Sequence, residues 1–152
     1  MALKDDPWRL AVAAYPARHR LATRYGDMDA NAHLNNVAIA RLVEETRVRT
    51  LSALRGDTAV AGPAALMIAH VGIDYLAEGQ YPADVEAGLA VTSIGRSSFG
   101  LAMGLFQQGR PFALAESVMV HLGPGRAPAP IGKGLRDRLA ALAPHSREDM
   151  ND

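Results

Sequence analysis

Residues 24–55 read RYGDMDANAHLNNVAIARLVEETRVRTLSALR, and this stretch decides the architecture. Its second part, from Asn35 or Asn36 to about Arg55, contains no Pro or Gly and opens on an amide side chain suited to a helix N-cap. On a helical wheel Ile39, Ala40, Leu42, Val43, Thr46, Thr50, Leu51, Ala53 and Leu54 fill about half the circumference, with Arg47 intruding. An apolar arc that wide must be wrapped by other structure, so the helix belongs at the centre of the domain. Arg41, Glu45 and Arg49 form an i, i+4 ladder on the opposite side, expected as a row of salt bridges facing solvent or an interface. Gly56-Asp57 supplies a stop.

On either side of this helix the hydrophobic period drops to two. Arg18–Tyr25 alternates His19, Leu21, Thr23 and Tyr25 with Arg18, Arg20, Ala22 and Arg24, which predicts a strand with one wet face. After Pro63, Met67, Ala69, Val71, Ile73 and Tyr75 alternate with Ile68, His70, Gly72, Asp74 and Leu76. A turn over Glu78–Pro82 precedes a strand through Val85, Ala87, Leu89 and Val91. Ser98–Phe106 and Phe112–Leu122 then read as a hairpin about Gln107-Gln108-Gly109-Arg110. Gly123–Pro130 is a connector, Leu135–Leu142 a short helix, and Pro144–Asp152 a loose tail. The expected order is therefore strand, long helix, four antiparallel strands: an α+β domain in which one helix covers one sheet face. The other face and the sheet edges call for a partner or a polar covering, which predicts self-association.

The bulk numbers fit one domain over residues 1–152, its core spanning about 18–122. At 49% apolar the chain is neither disordered nor a membrane protein. Sixteen basic residues balance sixteen acidic ones, which removes the electrostatic case for nucleic acid or an anionic membrane as partner. Without Cys there is no disulfide, thiol nucleophile or Cys-bound zinc, and none of the five His has metal-ligand spacing. The expectation is no metal and no cofactor. Asp5, Asp6 and Pro7 stand where a signal peptide would be basic and then apolar, and Leu10–Tyr15 is too short for a span, so a cytoplasmic location is expected.

Chemistry concentrates ahead of the helix. Asp29, Asn31 and His33 put a carboxylate, an amide and an imidazole at i, i+2 and i+4. They precede a helix N-terminus, where open backbone N–H groups favour developing negative charge. That combination suits attack on a carbonyl. Asp27 reads as a brace for the turn or a partner of Arg24, and Asn35 and Asn36 primarily as caps. Glu44 and Glu45 read as salt-bridge partners of Arg41, Arg47 or Arg49. There is no Gly-x-Ser-x-Gly elbow and no phosphate-binding loop.

The run Asp-x-Asp-x-Asn-x-His-x-Asn-Asn, followed by Arg-Leu-Val-Glu-Glu-Thr-Arg, resembles the hot-dog-fold thioesterases. It is similar to the 4-hydroxybenzoyl-CoA thioesterase-like branch and shares an Asp-x-Asn-x-His core with acyl-ACP thioesterases. The likeness in element order spans roughly Arg18–Leu122, and only Arg24–Arg47 is motif-specific. The resemblance implies an antiparallel sheet wrapped around the long helix, paired as a homodimer, or a dimer of dimers, with sites at the interface. It implies Asp29 as the catalytic carboxylate, Asn31 and His33 as the amide and imidazole, and Asn36 as the residue whose N–H meets the thioester oxygen. Gly95 and Ser98 sit in a strand connection that turn chemistry explains equally well; as a second reading, Ser98 is a candidate substrate contact if that connection approaches the partner's site. Two departures stand out. Ala32 occupies a position where many relatives have Gly, and Ile39 replaces a common aromatic three positions past the Asn pair.

The leading expectation is hydrolysis of an acyl-CoA (or acyl-ACP) thioester, with Asp29 as nucleophile or general base. An enoyl-CoA hydratase of the same fold is the rival enzyme, although its Asp-x-Asn-Pro-x-His motif is one residue longer and contains a Pro. A non-catalytic acyl-thioester binder is the rival from another class. With no net charge to attract an acidic carrier protein, CoA is the favoured thiol.

Overall fold

The computed structural model of the protein describes residues 2–55, 65–146 and 148–150. Asn35 caps the central helix: its side-chain oxygen accepts the Ala38 N–H at 2.8 Å and its carbonyl the Ile39 N–H at 3.0 Å. Helix α1 then runs Asn36–Arg55; the Gly56-Asp57 stop lies outside the described residues. Ala38, Ile39, Leu42, Val43, Thr46, Arg47, Thr50 and Leu51 are buried, whereas Ala40 and Ala53 are exposed. The buried arc is thus rotated from the hydropathic one, and Arg47 lies inside it. Burial pushes the Arg47 pKa down, with the Glu44 carboxylate opposing that from 3.9 Å. Thr46 and Thr50 are tolerated in the core because their hydroxyls donate to the carbonyls of Leu42 and Thr46.

Five strands form one antiparallel sheet: β1 (Ala17–Leu21), β2 (Ala65–Tyr75), β3 (Val85–Ile94), β4 (Ser98–Gln107) and β5 (Arg110–Leu122), in spatial order β1-β3-β4-β5-β2. A short helix α2, Lys133–Ala140, follows, its Leu139 fully buried. Leu89, Leu101, Met103 and Leu105 from the central strands pack with Ile39, Leu42 and Val43 into the main core. The β4–β5 hairpin closes on Gln108 (φ 52°) and Gly109 (φ 74°), a two-residue turn whose left-handed pair matches the strand twist.

Three expectations are corrected. The first strand ends at Leu21, not Tyr25, because its partner β3 begins at Val85, which faces Leu21; beyond it Tyr25–Asp27 form a 3-10 turn. The strict alternation along β2 breaks at a register shift between Ile68 and His70, so Met67 falls on the face opposite Val71 and Ile73. Without that bulge His70 would be directed at the core. The tail is not loose throughout, since the His145 N–H donates to the Ala14 carbonyl at 2.9 Å.

That bond joins the tail to an N-terminal segment whose structural role the sequence did not announce. Three 3-10 turns between Leu3 and Ala14 carry Trp8, Val12 and Tyr15 onto the sheet face opposite α1. There Tyr15 packs edge-on to Phe106 at 5.9 Å and tilted to Trp8 at 5.3 Å, beside Ala90 and Ala102. The ring needs Gly88 beneath it: a Cβ there would stand 2.5 Å from the Tyr15 Cγ. We expect Gly88→Ala to cost about 1–3 kcal/mol through overpacking, read as a lower urea midpoint. An unchanged midpoint would mean that the aromatic plate contributes nothing to stability.

His19 supplies a pH-dependent element. Thr50 Oγ1 donates to the Thr46 carbonyl, so it accepts from His19 Nε2–H across 2.8 Å. Burial, aided by Arg49, lowers the His19 pKa from its ordinary 6.5. The neutral ring is favoured in the fold, so this contribution is complete above the unfolded value and fades as pH falls through the lower folded one. His19→Gln is expected to flatten the stability profile below about pH 6.5; an unaltered slope in thermal melts would refute the assignment.

Candidate active site

The segment between β1 and α1 is pinned at both ends. The Asp27 carboxylate accepts the Arg24 backbone N–H at 2.9 Å and its guanidinium at 3.2 Å, which is the bracing role expected of it. The Asp27 carbonyl takes the Asn35 N–H at 2.9 Å, and the Leu34 N–H reaches the Gly79 carbonyl at 2.8 Å. Between these anchors Met28 and Leu34 form an isolated bridge, and Asp29 N–H donates to the His33 carbonyl at 2.8 Å. The result is a tight bulb, residues 29–33, held directly before the helix.

Within it, Asp29 uses one carboxylate oxygen locally. Its Oδ1 accepts the backbone N–H groups of Asn31 at 2.8 Å and His33 at 3.3 Å. Oδ2 has no hydrogen-bond partner among the described residues, and the side chain is exposed. The Asn31 contact therefore runs through its backbone, and its side chain is exposed. The His33 imidazole turns away from Asp29: Nε2 lies 2.9 Å from Glu78 Oε2, in the turn after β2. Asn36 is the first residue of α1, and the N–H groups of Asn36 and Val37 meet no acceptor among the described residues.

Asp29, Asn31, His33 and Asn36 are thus brought together at one end of the sheet. Ser98 is not with them. It opens β4 opposite Val120, at the far end of that strand, about 30 Å of extended chain away. Glu78 was not singled out by sequence, since it lies 45 positions beyond His33 in a stretch that reads as turn and nothing more. A groove of about 450 Å³ starts at Glu78 and continues past Gln80, Tyr81, Gln107 and Arg110. Tyr25, 76% exposed, meets Tyr81 edge-on at 6.0 Å beside it. Asp29 does not line this groove.

The bulb is strained at one residue. Ala32 adopts φ 60°, the left-handed conformation that costs an L-residue about 1–2 kcal/mol. Ala32→Gly is expected to raise stability by up to about 1 kcal/mol, after allowing for the added freedom of glycine in the unfolded chain. A lowered melting temperature would contradict the strain.

Comparison with known proteins matches this geometry to a family. Residues 23–139 match the model of the thioesterase-like superfamily. A solved structure of a Pseudomonas aeruginosa PAO1 protein is 29% identical, covering 91% of this chain and 99% of its own, with a TM-score of 0.78. A thioesterase from Thermus thermophilus, complexed with coenzyme A and Zn, is also 29% identical over 85% of this chain and 95% of its own, TM-score 0.76. A predicted thioesterase from Bacillus stearothermophilus, 22% identical over 83% and 95%, shares the fold at a TM-score of 0.77. No curated protein sequence matches the chain. The sheet laid around one long helix is therefore the hot-dog fold, and this chain is a thioester hydrolase belonging to the thioesterase-like superfamily.

Proposed function

We propose that the protein hydrolyses an acyl-CoA, with Asp29 as its catalytic carboxylate and the opening amides of α1 as the oxyanion site. One observation carries this reading: among the described residues, a carboxylate with an uncommitted oxygen stands in the bulb that runs into a helix whose first two N–H groups lack acceptors. Asp29 either attacks the thioester carbonyl or takes a proton from the attacking water. Charge then grows on the carbonyl oxygen and is met by the Asn36 N–H, an interaction typically worth about 2.7–4 kcal/mol. The backbone donors on Oδ1 keep the carboxylate oriented while Oδ2 reacts. His33, fixed by Glu78, is the proton carrier for the departing thiolate, and Asn31 positions the substrate or water. CoA is favoured as the thiol by the coenzyme A bound to the Thermus relative and by the absence of net charge.

The exposure of Asp29 in one chain points to a second copy as the other wall of the site. The two sheet edges differ. β1 is five residues long and carries Arg18 and Arg20, devices that discourage edge pairing. β2 is eleven residues long, with Met67, Ile68, Val71 and Tyr75 all 40–53% exposed. Antiparallel pairing of β2 with its own copy about a two-fold axis continues the sheet to ten strands. Because β2 ends beside the Asp29 bulb, such pairing brings the opposite end of the second sheet, the end bearing Ser98, to that bulb. This restores the substrate-contact role for Ser98 that a single chain does not offer.

Asp29→Asn is expected to lower turnover by about 10²–10⁴-fold while leaving the circular dichroism and melting temperature near those of the parent. Thiol release from acyl-CoAs of several chain lengths is the assay. Hydrolysis by the variant at the parental rate would end the proposal for Asp29.

A further inference from the structure

Glu78 holds the His33 ring, and the connection between β2 and β3 holds Glu78. The Glu78 side chain is 66% exposed and meets no polar partner except His33 among the described residues. Its place is therefore set by the backbone of residues 76–84, which link β2 to β3. Among the described residues no hydrogen bond closes within that connection, so its course depends on outside ties. Before Glu78, the N–H groups of Leu76 and Ala77 donate to the Phe112 carbonyl at 2.9 and 3.3 Å. Directly after it, the Gly79 carbonyl accepts the Leu34 N–H at 2.8 Å. Gly79 is also pressed against its neighbours: a Cβ there would stand 2.9 Å from Leu34 Cδ1 and from the Phe112 ring.

The third tie is a side chain from the β4–β5 hairpin. Gln107 is the last residue of β4 and commits its whole carboxamide to the connection. Its Oε1 accepts the Gln80 N–H at 2.9 Å, while Nε2 donates to the carbonyls of Gln80 at 2.7 Å and Ala83 at 3.0 Å. Both N–H groups and the oxygen are thus engaged, and Gln80 is gripped as a neighbouring strand would grip it. Thr23 Oγ1 donates to the same Ala83 carbonyl at 3.1 Å, which joins this point to the segment entering the bulb. We infer that Gln107 is a positioning residue of the hydrolase, fixing residues 78–83 so that Glu78 meets His33 in a single geometry. The inference deepens the proposed function, since it rests on His33 as proton carrier. The same geometry selects the reacting nitrogen. An ionised carboxylate only accepts, so the 2.9 Å contact puts a proton on His33 Nε2. The proton for the departing sulfur then leaves from Nδ1 as the carbon–sulfur electron pair goes to sulfur, and the neutral Nε2–H ring remains. A Glu78 left to drift would let the ring settle as either tautomer.

Two variants of the full-length chain test this. Gln107→Met keeps the side-chain length and removes all three bonds. Gln107→Glu keeps the acceptor and removes both donors, and it serves if the first variant fails to fold. In thiol release from an acyl-CoA, each is expected to lower kcat about ten- to a hundred-fold with KM changed less than about two-fold. Gln107→Met is expected to add nothing further in a Glu78→Ala background, because a positioning residue acts through the group it positions. Nitrogen-15 spectra of His33, recorded with the ring neutral and without substrate, are expected to show the Nε2–H tautomer in the parent and a mixture in either variant. Parental kcat in the variants overturns the inference, as does an unchanged His33 spectrum. A loss of equal size in the Glu78→Ala background also overturns it, since Gln107 would then act on the fold and not through His33. The hydrolase reading fails separately, through a parent that releases no thiol or an Asp29→Asn chain at the parental rate. The substrate-free spectrum tests the grip of Gln107 in either case.

Discussion

The end of the sheet that carries Asp29 depends on how α1 begins. Asn35 places its side-chain oxygen on the Ala38 N–H and its carbonyl on the Ile39 N–H, while its own N–H is taken by the Asp27 carbonyl. Two of the four opening amides are thereby committed and two, Asn36 and Val37, stay open among the described residues. A helix whose cap consumed all four would offer no open donor at this end, and one without a cap would fray there. The Asp27–Arg24 pair and the Leu34–Gly79 bond keep the preceding bulb from drifting relative to that end.

The remainder of the molecule holds that helix still. One sheet face receives the leucines and valines of α1; the other is plated by Trp8, Val12 and Tyr15 from the N-terminal turns. Both faces of β4 are consequently buried within a single chain, which is why its small residues Gly100, Ala102 and Gly104 alternate with Leu101, Met103 and Leu105. Small residues on one face admit an aromatic plate, and large ones on the other fill the space under a helix. Along β2, Met67, Ile68, Val71 and Tyr75 stay 40–53% exposed. No helix among the described residues is long and apolar enough to cross a membrane.

Local signals were read correctly from the chain wherever one residue type has one physical use. The helix start followed from the Asn35-Asn36 pair, of which Asn35 is the cap, and the hairpin from the Gln107–Arg110 turn. All five strands among the described residues were found, β4 through its place in the hairpin, since it buries both faces. Periodicity failed where pairing, not hydropathy, decides: β1 stops when its neighbour stops, and β2 changes face at its bulge.

By itself, then, the sequence determined that a capped amphipathic helix would be enclosed by an antiparallel sheet, and that a carboxylate would precede its N-terminus. These are consequences of composition and spacing over a few turns of chain. The tertiary structure decided what those residues face. It put Glu78 against His33 across 45 positions, used the Asn31 backbone in place of its side chain, and sent Ser98 to the opposite end of the sheet. It also turned Arg47 into a buried cation and forced Ala32 into a left-handed conformation. Contacts between distant segments depend on strand order and register, and no local preference in the chain encodes either.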